Sequence, residues 1–167
     1  MSECWLQCGS CETRFDLAPL FFGCPACLRN GHRYPLEVQY GIASVDPTPG
    51  LPGIWRWQNL LPPVEPDKRI SLQEGATALL PLRADKQGPR LYLKNETSNP
   101  TWSWKDRPNG VSVSMARQFG FRQVTAKSTG NHGNSVAAYA ASGGLQSVIL
   151  CHERAPALQL ALMAVSY

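Results

Sequence analysis

The sequence predicts an α/β chain, with a parallel sheet flanked by helices and a small cysteine-rich module in front of it. Three observations carry that expectation. Five of the six cysteines fall within residues 1–40, and prolines crowd residues 41–68 (Pro47, Pro49, Pro52, Pro62, Pro63 and Pro66). From residue 69 short apolar strands alternate with helical stretches joined by brief turns, the pattern of strand–helix–strand units. The expected division is therefore 1–40, 41–68 and 69–167.

Composition narrows the function classes. With 43% apolar and 17% charged residues in 167, the chain can build a core and is too apolar for a disordered segment. A net charge of +4 without a dense Lys/Arg run gives no electrostatic footprint for nucleic acid. No apolar run approaches the roughly 18 residues of a membrane-spanning helix. The start, Met1-Ser2-Glu3-Cys4-Trp5, has no basic-then-apolar secretion signal. A reducing, cytoplasmic setting is expected, in which thiols bind metal or lie buried and the Asn95-Glu96-Thr97 sequon goes unmodified.

Within 1–40, Cys8-x2-Cys11 and Cys24-x2-Cys27 form two pairs separated by twelve residues. Each pair can grip one edge of a tetrahedral zinc ion, and four thiolates close its coordination sphere, so the expected role is structural. The gap is shorter than the usual 15–20 residues, and four reduced thiols packed as small hydrophobes is the alternative. A segment of about 40 residues needs a staple to fold, which favours a zinc-ribbon-like module. Cys4 and Cys151 have no partner spacing, and His32 is either a substitute ligand or a surface residue.

Residues 41–68 read as an extended connector, because proline disfavours a helix; Trp55 and Trp57 suggest that it packs against something. Beyond it, Leu91–Lys94 reads as a strand. Val111–Phe119 follows as a helix stopped by Gly120, and Gln123–Ala126 as a second strand. Asn134–Ser142 is a helix closed by Gly143-Gly144, and Ser147–Cys151 a strand whose Val148-Ile149-Leu150 run suits a buried parallel position. Ala155 opens a last helix with Pro156 in its first turn. Its apolar residues Leu158, Leu160, Leu162, Met163 and Val165 leave two readings open, a docking helix or an incomplete domain. Either favours self-association into a homo-oligomer.

Two segments carry chemistry. Lys105 sits between Trp104 and Asp106 just ahead of a helix, where partial burial favours a neutral amine able to bond an aldehyde. Ser128-Thr129-Gly130-Asn131 lies between a strand and a helix. There the backbone N–H groups and helix dipole can hold a carboxylate or phosphate, at the sheet edge where open α/β folds bind ligands.

These residues carry a resemblance. Asn99-Pro100-Thr101-x-Ser103-x-Lys105-Asp106-Arg107 followed by Ser128-Thr129-Gly130-Asn131 resembles the fold-type II pyridoxal-phosphate enzymes, and among them the threonine synthases. The cysteine pairs, Trp55-Arg56-Trp57 leading to Leu61-Pro62, and Glu74-Gly75-x-Thr77 support the same subfamily. The resemblance implies the front part of such a catalytic domain, with pyridoxal phosphate bound to Lys105, which also moves the α-proton. It implies that Asn131 bonds the cofactor's phenolate oxygen, that the Ser128, Thr129 and Gly130 backbone holds the carboxylate of an amino-acid substrate, and that Asp106 and Arg107 brace the lysine helix. The implied reaction converts O-phosphohomoserine to threonine and phosphate. A serine/threonine dehydratase or β-replacement enzyme and a non-catalytic zinc-ribbon remnant are the alternatives. The family's phosphate-cradling glycine loop is expected beyond this stretch, which leaves activity of the chain alone in question. Trp102 and Trp104 stand where the family pattern has glycine and phenylalanine, and Ala78 where it has proline.

Overall fold

The computed structural model describes residues 3–41, 45–82 and 88–164. Its contacts divide the chain into two units, residues 1–49 with 57–63, and 50–56 with 64–167.

In the first unit, β1 (Glu3–Cys8) lies between β2 (Arg14–Phe15) and β3 (Leu36–Gly41), antiparallel to both. Leu6 faces Phe15 and Val38, and Cys8 faces Leu36. The turn after β1 is closed by the Glu12 amide donating to the Cys8 carbonyl (3.0 Å) and the Cys8 amide to that of Thr13 (3.1 Å). The second cysteine pair flanks the start of α1 (Pro25–Leu28), with Pro25 at the first position, where a missing N–H is harmless. Gly23 precedes it at φ +86°, and a Cβ there would run into the Tyr34 carbonyl. Only glycine satisfies both the sign of φ and the space. Cys8, Cys24 and Cys27 are the buried cluster of this unit, with Phe15, Ala26 and Leu36 against them.

The proline-rich stretch is not simply extended. It forms a 3-10 segment at Gly53–Leu60, broken at Trp57, and another at Pro66–Lys68. The cause is Trp55, which is 1% exposed and donates its indole N–H to the Ile70 carbonyl at 2.9 Å. Burying an indole with its N–H satisfied outweighs the local preference.

The second unit differs from the expected alternation at its first strand. β4 (Leu79–Pro81) and β5 (Tyr92–Lys94) form a separate antiparallel pair. The chain between them is shorter than the dozen or so residues a parallel crossover requires. β6 (Gln123–Lys127) and β7 (Gln146–Leu150) do pair in parallel, linked through α3 (Asn131–Ser142). The β7 run is not buried on both faces: Ser147 is buried, whereas Val148 and Leu150 are exposed. In this unit β7 has one strand neighbour among the described residues and α3 packed against it, so only one side is covered.

Helix α2 (Asp106–Gln118) begins at Asp106 rather than Val111, because Pro108 falls in the first turn, where no N–H partner is required. It ends as expected, with Gly120 at φ +78° donating to the Arg117 carbonyl. Likewise α3 starts at Asn131, three residues earlier than its apolar periodicity suggests. Helix α4 (Ala157–Ala164) follows Pro156, burying Met163 and exposing Leu158 and Leu160; Val165 lies outside the described residues. Ile70, Val113, Tyr139, Ala140 and Leu145 form the core that α2 and α3 share. No helix among the described residues is long and apolar enough to cross a membrane.

Candidate functional site

The site is built on buried carboxylates. Glu74 is fully buried and accepts hydrogen bonds from the Ile54 amide (3.2 Å), the Leu72 amide (3.0 Å), the Ser71 hydroxyl and the Tyr139 hydroxyl (2.8 Å). Burial and the charge of Glu74 push the Tyr139 hydroxyl far above its ordinary range, so it remains a donor. Asp106, also fully buried, accepts from the Thr101 amide (2.7 Å), the Thr101 hydroxyl and the Ser135 hydroxyl (2.7 Å). It thereby ties the turn before α2 to α3. Arg107 grips Glu96 with two parallel bonds (2.8 and 2.9 Å), the strong fork geometry. Thr77 and Asn99 add hydrogen bonds to the same carboxylate, and together these lower Glu96 from 4.5 to about 2. Asp106 and Arg107 thus brace the segment that carries Lys105.

Lys105 is the residue immediately before α2, half-buried. Its Nζ lies over the Trp104 ring, 3.9 Å from the centroid. One turn into α2, buried Asn109 places its amide 3.3 Å from His132 Nδ1 and 3.4 Å from the His132 carbonyl. Burial lowers the His132 pKa, and the charge of Lys105 lowers it further. The turn that joins Lys105 to Asn109, closed by the Asn109 amide donating to the Lys105 carbonyl (3.2 Å), thus meets the first turn of α3 through Asn109 and His132.

That turn follows β6 at its carboxyl end. The Ser128 hydroxyl accepts from the Gly130 amide (3.3 Å) and the Gly133 amide (3.0 Å), and the Ser128 amide donates to the Leu150 carbonyl (3.0 Å). Of the three amides implied for a carboxylate, those of Ser128 and Gly130 are thus engaged. The Thr129 amide and, just beyond, those of Asn131 and His132 have no partner among the described residues. Thr129 and Asn131 are exposed, and the Asn131 side chain makes no hydrogen bond among the described residues. A lysine without an ion pair among the described residues, open amides and an uncommitted Asn131 carboxamide are groups that suit an aldehyde-bearing, anionic cofactor.

Sequence reasoning did not single out Asn109, His132, Glu96 or Tyr139. Only the acidic residues at 74 and 96, inside otherwise polar-neutral turns, hinted at them.

In the first unit the sulfurs of Cys8, Cys11, Cys24 and Cys27 all lie within 4.8 Å of one another. Cys8 and Cys27 are 3.8 Å apart, and Cys11 and Cys24 3.6 Å. Zinc–sulfur bonds of about 2.3 Å in a tetrahedron need sulfurs about 3.8 Å apart, so the donor set fits zinc. Hydrogen bonds from Thr13 lower the Cys11 thiol to about 6, whereas burial pushes Cys27 up to about 12. His32 is exposed and outside this cluster.

A lysine just before α2, and an open first turn of α3 at the end of a parallel strand, are the chemical features of an α/β fold. Residues 70–166 match the family model described as pyridoxal-phosphate dependent enzyme, and the chain belongs to that family. It is 39% identical over 118 residues to a threonine synthase of Methanocaldococcus jannaschii, covering 69% of this chain and 29% of that protein. A threonine synthase of Methanosarcina acetivorans is 33% identical over 153 residues, covering 87% and 36%. The chain thus spans about a third of the length of the curated relatives it matches. Among solved structures, an O-ureido-L-serine synthase aligns with a TM-score of 0.49 at 24% identity, over 62% of this chain and 34% of that one.

Proposed function

We propose that the chain carries the lysine-bearing part of a threonine-synthase-like enzyme, taking O-phosphohomoserine to threonine and phosphate. The observation that supports the reading is the contact of Asn109, one turn beyond Lys105, with His132 in the first turn of α3. The similarity to threonine synthases favours this substrate over that of a dehydratase or β-replacement enzyme.

When bound, pyridoxal phosphate supplies an electron sink for the substrate's α-carbon. Lys105 would hold the cofactor through its aldehyde, and its Nζ would serve as the base for the substrate's α-proton. The Asn131 carboxamide would bond the cofactor's phenolate oxygen. Of the Ser128–Gly130 backbone, the open Thr129 amide would orient the substrate carboxylate at the positive end of α3. In the net reaction the γ-carbon–oxygen bond breaks and phosphate leaves, one β-carbon–hydrogen bond breaks, the γ-carbon gains a hydrogen to become a methyl group, and water adds its hydroxyl to the β-carbon while its other proton ends on phosphate. Asp106 and Arg107 keep the lysine turn rigid and touch no substrate. In the first unit, zinc held by Cys8, Cys11, Cys24 and Cys27 is structural, since four thiolates leave no open position.

The test is borohydride reduction of the chain with pyridoxal phosphate, mapping of the modified lysine, and assay of phosphate release from O-phosphohomoserine. Selective label at Lys105, lost in Lys105→Ala, is expected. Scattered label, or label surviving that substitution, overturns the site. Label without phosphate release, but with 2-oxo acid from serine or threonine, establishes the dehydratase alternative. Absence of both label and turnover leaves a zinc-ribbon remnant.

A further inference from the structure

Resting on the reading of Lys105 as the cofactor lysine, we infer that Trp104 is a positioning residue. Its ring face holds the Lys105 ammonium at the first turn of α3 while leaving the nitrogen's hydrogens free. The indole is 53% exposed, so core packing does not account for it. Its one described partner is Nζ, 3.9 Å from the ring centroid, a distance at which a cation is attracted by the ring quadrupole.

The carboxylates around the lysine segment are already engaged. Asp106 accepts from Thr101 and Ser135, and Glu96 from Arg107, Thr77 and Asn99. Lys105 has no ion pair among the described residues. A carboxylate in place of the ring would occupy the N–H groups of Nζ. A π-face attracts the charge and takes no hydrogen bond, so the nitrogen is steered without being spent. The destination follows from geometry: the Asn109 amide donates to the Lys105 carbonyl (3.2 Å), four residues apart on one face, and the Asn109 side chain meets His132 in the first turn of α3 (3.3 Å). The groups facing His132 are Asn109 of α2 and Lys105 just before it, whose charge lowers the His132 pKa.

The test reads His132 by NMR titration in the chain without cofactor. Lys105→Ala removes a neighbouring positive charge, so the His132 midpoint rises. Trp104→Leu keeps the charge but frees it to swing away, so the midpoint rises part of the way. Trp104→Phe keeps a π-face and holds the midpoint at the wild-type value. A midpoint unmoved by Trp104→Leu, or unmoved by Lys105→Ala, overturns the inference.

A second readout is the share of borohydride-trapped pyridoxal phosphate found on Lys105. It falls about two- to fivefold in Trp104→Leu, the factor a cation–π contact at an exposed site is worth, and recovers in Trp104→Phe. An unchanged share in Trp104→Leu also overturns the inference. If wild-type Lys105 takes no label at all, the proposed function fails by itself, and the His132 titration still reads the positioning.

Discussion

The two units solve the same problem with different materials. In the first, the buried cluster is three cysteines backed by Phe15, Ala26 and Leu36, too little apolar surface to hold a segment of this size. In the second, Ile70, Val113, Tyr139, Ala140 and Leu145 make an apolar core, and beside it lie two fully buried carboxylates, Glu74 and Asp106. Sulfur without a cation is a weak core, whereas a buried carboxylate surrounded by donors is a rigid joint. The first unit therefore offers four thiols that a bound zinc would cross-link, whereas the second is held by hydrogen bonds it carries itself.

The sharpest way to break the comparison is to deny the first unit the zinc proposed for its four cysteines. Chelation or Cys8→Ser is expected to forfeit the zinc-binding free energy, on the order of 10 kcal/mol, and to open residues 3–41 to protease. Unchanged proteolytic resistance together with absent zinc in metal analysis would show that the thiols suffice. The matching change in the second unit is smaller. Glu74→Ala leaves the Tyr139 hydroxyl and the Ile54 and Leu72 amides without their acceptor. A loss of about 3–5 kcal/mol is expected in urea unfolding.

Acid probes the exposed edge of the same network. The Glu96 carboxyl is lowered from 4.5 to about 2 in the folded chain. A depressed carboxyl stabilises fully above its unfolded value and progressively less as pH falls through the folded one. Stability is therefore expected to decline between about pH 4.5 and 2, the window given by that shift. Arg107→Ala should flatten this part of the pH profile, and an unaltered slope would count against the pair.

The smallest effect has the opposite sign. Trp102 is 64% exposed and sits at φ +58°, a left-handed conformation costing a non-glycine residue roughly 1–2 kcal/mol. Trp102→Gly should raise stability by about 1 kcal/mol, read as a higher urea midpoint, and a lower midpoint would show that the indole is held by contacts of its own. The glycine of the family pattern at this position fits that backbone.

Much of this was legible in the sequence because it is local. Paired cysteines at close spacing imply two turns facing one ion, and the sulfurs lie within tetrahedral reach of one another. Strand–helix–strand alternation from Gln123 to Leu150 appears as a parallel pair joined by α3, and the stop at Gly120 follows from glycine's freedom at positive φ. Other features came only with tertiary structure, because they depend on residues far apart in the chain. Nothing near Trp55 announces that its indole will find the Ile70 carbonyl and curl a proline-rich stretch. Tyr139 reaches Glu74 across 65 positions, and Asn109 meets His132 across 23. Periodicity reports which face of an element is apolar, and a motif reports which side chains are present. Which buried donor meets which acceptor is decided when the elements close on one another, since an unpaired buried polar group is too costly to leave.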